Sequence, residues 1–208
     1  MKRLACLIAA FTLASCTTGG AAWKIGASAG ITAGGDVEDS DIAPGLQATW
    51  VLNDTWAVEL GVFQFSDAGG EVEEGIRWVS DLDATPIALT ALAARPLADR
   101  MRGYIGAGVA YYLIDAKGSA ERTAAATADE AAWSLEADNG YGVHVLAGLD
   151  VALTDALSAF ADVRYAMMAY DYEGTWTERF GSETYSGVED DTEDYAYGLV
   201  RIGLQLDL

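Results

Sequence analysis

Two cysteines, one histidine and twelve basic residues are all that 208 residues contain, and each shortage closes off a class of chemistry. Cys6 lies in an apolar N-terminal stretch of the kind removed on export, so the processed chain keeps at most Cys16 and an intramolecular disulfide is excluded. The 12 Lys and Arg are set against 32 Asp and Glu, for a net charge of -20, which leaves no basic face for nucleic acid. Beyond Cys16 no apolar run approaches the roughly 18 residues of a membrane-spanning helix. Such a chain can cross a membrane only as a closed barrel, in which each backbone polar group is paired on a neighbouring strand.

What the chain has in quantity is alternation with a period of two. It is clearest at the end: Val200, Ile202, Leu204, Leu206 and Leu208 share one parity, and Arg201, Gly203, Gln205 and Asp207 the other. A strand so patterned has one oily and one wet face. Similar segments begin at Trp23 and Ile42, and Asn53-Asp54-Thr55 turns the second into a third from Trp56 to Phe63. A fourth, about Asp83 to Ala94, is too uniformly apolar to assign its faces. A fifth carries Ile105, Val109 and Leu113 against Tyr104, Gly106, Gly108 and Tyr112. The sixth, from Tyr141 to Leu153, turns at Thr154-Asp155-Ala156 into the seventh, from Leu157 to Met168, and the eighth is the terminal strand.

Connections are long and acidic after strands one, three, five and seven, and short after the even ones. That asymmetry predicts an all-β fold, an eight-stranded antiparallel up-and-down transmembrane β-barrel with short turns toward the periplasm and acidic loops outside. Strands near ten residues suit a tilted crossing. Trp23, Trp50 and Trp56 at one end, and Tyr112, Tyr170, Tyr172, Tyr195 and Tyr197 at the other, are expected to form the interfacial girdles. The Ala-rich stretch Thr123 to Ala132 is expected as a short helix in the third long loop. A soluble lipid carrier shares the strand count but would keep its apolar face inside. Here the parity that carries charge also carries glycine and small residues, as a narrow filled lumen requires.

The terminal spacing of Arg201, Gly203, Leu206 and Leu208 resembles the closing strand of bacterial outer-membrane barrels, which their assembly machinery reads as a signal; it departs in ending on Leu208 rather than an aromatic residue. From about Trp23 to Leu208 the pattern resembles small outer-membrane barrels of the OmpA, OmpX and OmpW type. That resemblance implies an outer-membrane location, contact with membrane lipid and lipopolysaccharide, a monomer, and either a structural or surface-interaction scaffold or, alternatively, a narrow porin-like path for small or hydrophobic solutes. Lys2 and Arg3 followed by an apolar stretch from Leu4 to Ala14 have the layout of a signal peptide. Leu13-Ala14-Ser15-Cys16 resembles a lipoprotein lipobox, which implies a signal peptide over 1–15, an acylated Cys16, a linker over 16–22 and a barrel over 23–208. Ordinary cleavage near Gly20-Ala21-Ala22 is the alternative.

The inward parity gathers Lys24, Glu59, His144, Asp150, Asp162, Arg164 and Arg201 as a candidate lumen charge network. Asp162 and Arg164 count to the same height as Arg201, so an Asp162 to Arg201 contact is expected, because a buried charge without a partner is costly. Outer-membrane lipid A deacylases are barrels of this size, and a Ser-His-acid site needs a hydroxyl within reach of histidine. Two residues beyond His144, where the deacylase pattern would offer serine, stands Leu146. No catalytic residue, cofactor or metal site is therefore assigned. The acidic segments match no calcium-loop spacing, although an acidic rim attracts cations.

Overall fold

A computed structural model of the chain describes residues 22–37, 41–73, 76–122 and 130–208. The expected signal peptide, Cys16 and most of the expected linker lie outside them. Ten strands follow in order: β1 (Ala22–Gly35), β2 (Ile42–Val51), β3 (Trp56–Phe63), β4 (Phe65–Glu73), β5 (Ile76–Ala98), β6 (Met101–Arg122), β7 (Glu130–Ala137), β8 (Gly140–Ala152), β9 (Leu157–Phe180) and β10 (Glu183–Asp207). All pair antiparallel. The ring runs β10-β1-β2-β3-β5-β6-β8-β9 and closes through a β9–β10 pairing, with β4 on β5 and β7 on β9. Because β3 continues into β4 and β7 leads into β8, the barrel has eight staves, as the sequence predicts.

Closure is made by the terminal strand. It is zipped to β1 from Lys24↔Asp207 to Thr32↔Leu199, and Leu208 N donates to Trp23 O at 2.8 Å. On its other side it pairs with β9 from Leu206↔Leu157 up to Glu183↔Phe180. Outward residues form an apolar band that includes Ile25, Ile31, Leu46, Leu89, Ile105, Val109, Val145, Val163, Ile202 and Leu204, all exposed. Charged and glycine positions of the same strands face inward. An oily exterior around a charged interior is the arrangement for lipid, and the reverse of a soluble carrier.

The fourth strand, ambiguous in sequence, resolves as Leu82, Ala84, Pro86, Ala88, Thr90 and Leu92 inward, with Leu89 outward. Two prolines explain the break between β3 and β4. The registers on either side place Pro44 opposite Gln64 and Pro86 opposite Phe63. Gln64 N donates to Pro44 O at 3.1 Å, so the backbone groups of Phe63 turn the other way, toward a proline that has no N–H to give.

Two expectations are corrected. The long acidic connections are mostly strand, not irregular loop: β9 and β10 continue as a hairpin to a turn at Gly181 (φ 62°). At ~3.3 Å per residue their 24 and 25 residues run ~80 Å, far beyond an apolar band ~25 Å tall. They build a turret above the membrane, where both faces meet water and acids are tolerated on a strand. The expected helix from Thr123 to Ala132 is not formed over its described part. Residues 123–129 lie outside the described residues, and Glu130, Ala131 and Ala132 open β7, paired to Arg179, Glu178 and Thr177. Cross-strand pairing outweighs the helix preference of alanine.

Candidate functional site

The inward parity of β10 reads as a vertical section through the lumen: Gln205, Gly203, Arg201, Leu199, Tyr197, Tyr195, then Glu193 and Glu189. At the short-turn end Lys24 Nζ lies 3.0 Å from Asp150 Oδ2 and 3.2 Å from Asp207 Oδ1, and Gln205 also donates to Asp150. Lys24, Asp150 and Gln205 flank a small cavity of ≈ 60 Å³ that also touches Thr49, Arg102 and Tyr104.

One level up, Arg201 grips Asp162 with two bonds, Nε to Oδ1 at 3.0 Å and Nη2 to Oδ2 at 2.7 Å. Its Nη2 also lies 3.4 Å from Glu59 Oε1, which takes a 3.0 Å bond from Arg164 Nη2. Tyr104 adds a 3.2 Å bond to Asp162. All four charged side chains are buried, at 5 % exposure or less. Two cations and two carboxylates in alternation cancel one another, and forked Arg–carboxylate geometry is the arrangement that best offsets desolvation. The guanidinium groups also sit over rings, Arg164 over Phe63 and Arg201 over Phe160, each 5.7 Å from the centroid. Glycine makes that room: a Cβ on Gly203 would lie 2.5 Å from the Phe160 ring and 2.4 Å from Ala27 O.

Above the ionic layer lies an aromatic one. Phe63, Phe65, Tyr112 and Tyr197 are 2 % exposed or less. Phe65 and Tyr197 are 4.7 Å apart, and the Tyr112 and Tyr197 hydroxyls meet at 3.1 Å. Tyr195 caps the layer, donating to Asp67 at 2.6 Å. This corrects the tyrosine girdle. Tyr112, Tyr195 and Tyr197 point into the lumen, whereas Tyr111, Tyr141 and Tyr165 belong to the opposite, outward parity. Their burial hides large rings that water or lipid would otherwise have to solvate. At the other end the tryptophans do lie outside, with Trp23 stacked on Trp50 at 5.8 Å.

Of the seven charges singled out from sequence, the structure therefore brings Glu59, Asp162, Arg164 and Arg201 into one cluster and Lys24 and Asp150 into a second below it. His144 stands apart, buried and 2.9 Å from the Thr90 hydroxyl. Tyr104, Gln205, Asp207 and the aromatic layer complete the plug without having been singled out. Parity carries their signal, since each shares the inward register of its strand; residue type points a tyrosine to the interface instead. At the terminal strand Gly203 packs against Phe160, while Leu206 and Leu208 are exposed on the outer face.

The OmpW family profile matches residues 7–179 of the chain. No curated protein sequence is a significant match. Among solved structures the chain is similar to a major outer membrane protein from Thermus thermophilus, at 14% identity and a TM-score of 0.56, covering 90% of this chain and 99% of that one. It is similar to Neisserial surface protein A at 12% identity and a TM-score of 0.55, over 89% of this chain and 96% of that one. The outer membrane protein AlkL gives 14% identity and a TM-score of 0.51, over 93% and 94%. At such identities the structural likeness is one of fold.

Proposed function

We propose, from the premise that this chain belongs to the OmpW family, that it serves as a sealed scaffold holding an acidic, strand-built turret at the cell surface. It is an integral β-barrel protein of the bacterial outer membrane. The observation that carries the scaffold reading is the double plug. The Arg201, Asp162, Glu59 and Arg164 cluster links β3, β9 and β10 across the lumen, and the Tyr112–Tyr197 pair closes the level above. An eight-stranded barrel has an interior that side chains can fill, and here large ones occupy it. The rival reading, a narrow porin-like path for small or hydrophobic solutes, requires both layers to part together.

The apolar band contacts membrane lipid and lipopolysaccharide. The assembly machinery reads the terminal strand through Gly203, Leu206 and Leu208, and the barrel works as a monomer without nucleic acid or cofactor. Catalysis is no part of the proposal: the single histidine bonds to Thr90 inside the lumen, away from any surface substrate. Purified protein in planar bilayers is expected to show no steady single-channel conductance. A stable open level in the unaltered protein would replace the scaffold with the channel.

A further inference from the structure

Above Tyr195 the turret encloses an open cup of ≈ 360 Å³. Its lining combines two chemistries. Carboxylates enter from separate elements: Glu189 and Glu193 on β10, Asp67 on β4, and Asp36 just past β1. Aromatic side chains share the lining, Trp133 from β7, Tyr170 and Tyr172 from β9, and Tyr195 as the floor. The rings are held in place. Trp133 meets Trp78 edge to face at 6.1 Å, and Tyr195 is fixed by its bond to Asp67.

The spacing of the acids decides what kind of cation this lining suits. Among the described residues no group of three or more His, Cys, Asp or Glu side chains converges as a metal site. A compact divalent ion, which wants several oxygens at one point, is poorly served. Carboxylates that enter from separate elements, with aromatic side chains in the same lining, match a cation whose own charges are separated by apolar chain. Ammonium groups bind carboxylates and are attracted to the faces of Trp and Tyr, while methylenes gain by covering the rings. Burial first, then the charges of Glu193, Tyr172 and Asp67, push the Tyr170 phenol up to about 12.

We propose that this cup is a binding site for linear oligoamines, with ammonium groups on Glu189 and Glu193 and the methylene chain laid across Trp133, Tyr170 and Tyr172. The site goes beyond the scaffold reading and rests on it in one respect, that the aromatic layer gives the cup a floor.

The test is calorimetric titration of the full barrel in phosphatidylcholine nanodiscs, free of lipopolysaccharide, with spermidine as probe and hexaamminecobalt(III) as a compact cation of equal charge. Spermidine is expected to bind about tenfold tighter than the cobalt complex, and to keep that margin at about 0.15 M salt, where loose counterion attraction is screened. Trp133→Ala and the pair Glu189→Gln/Glu193→Gln should each weaken spermidine about tenfold. Asp190→Asn/Asp194→Asn removes the same charge from the opposite face of the same strand and should stay within about twofold. Equal affinities for the two trications, or equal losses in the two paired variants, would overturn the proposal. So would absence of binding by variants and wild type that all run as folded barrels on unheated gels. Conductance of the unliganded protein addresses the scaffold separately, so either idea can fail alone.

Discussion

Arg201 shows how a single side chain organises the lumen. It is 2 % exposed, holds Asp162 with two hydrogen bonds and touches Glu59. Truncation to alanine would leave Asp162 without its forked partner and Glu59 with Arg164 alone. Removing one partner of a buried pair commonly costs about 3–5 kcal/mol, whereas replacing the pair by apolar groups of similar volume can be nearly neutral. Arg201→Ala is therefore expected to lower unfolding stability in lipid vesicles by that amount, and Arg201→Met/Asp162→Leu by clearly less. A double variant as unstable as the single one would remove the pair from its place as the organising contact. The contact could be anticipated because Asp162 and Arg201 count to the same height above the short-turn end, and strand register preserves such counting. The link from Glu59 to both arginines could not: it crosses the lumen between staves that are not neighbours, and no local count reaches across.

Among the elements, the junction at Gln64 is a break in the wall. Pro44 and Pro86 flank it from either side, and the backbone carbonyl of Phe63 faces a ring nitrogen without hydrogen. Pro86→Thr supplies the missing donor at an inward position. It should raise stability by about 0.5–1.5 kcal/mol, the ordinary net value of a hydrogen bond, and slow amide exchange at the neighbouring β3 and β4 positions. Unchanged exchange there, with the barrel intact, would mean that proline is not the cause of the break. The existence and order of the eight staves were legible from alternation, because every inward and outward choice repeats every second residue. The true lengths of β5, β6, β9 and β10 were not. In the turret both faces meet water, so alternation loses its oily half, and acidic strands read like loops.

For the molecule as a whole, charge is sorted by height. Acids such as Asp36, Asp81, Asp115, Glu173, Glu189, Asp190, Glu193 and Asp194 stand in the turret, while the band below exposes apolar side chains and hides its charges in pairs. The chain enters the barrel at the opposite, short-turn end, where Trp23 stacks on Trp50. Cys16 precedes Trp23 by few enough residues, at ~3.3–3.6 Å each, for an acyl group there to reach the leaflet that the same end of the barrel occupies. Mass spectrometry of the protein from its native membrane is expected to give a first residue of Cys16 carrying acyl chains. An unmodified terminus near Ala22 would show ordinary cleavage instead.

The sequence by itself determined the membrane, the class of fold, the number of staves and, for every strand but the fourth, the side that holds charge. Those properties depend on near neighbours, on period-two patterning and on the absence of any long apolar run. The tertiary structure alone decided which charges share a cluster, that Tyr112, Tyr195 and Tyr197 close the lumen rather than ring it, and that the acidic segments rise as strands around an aromatic cup. Each of these is set where residues distant in sequence meet across a closed ring, and the ring exists only once β10 has paired with both β1 and β9.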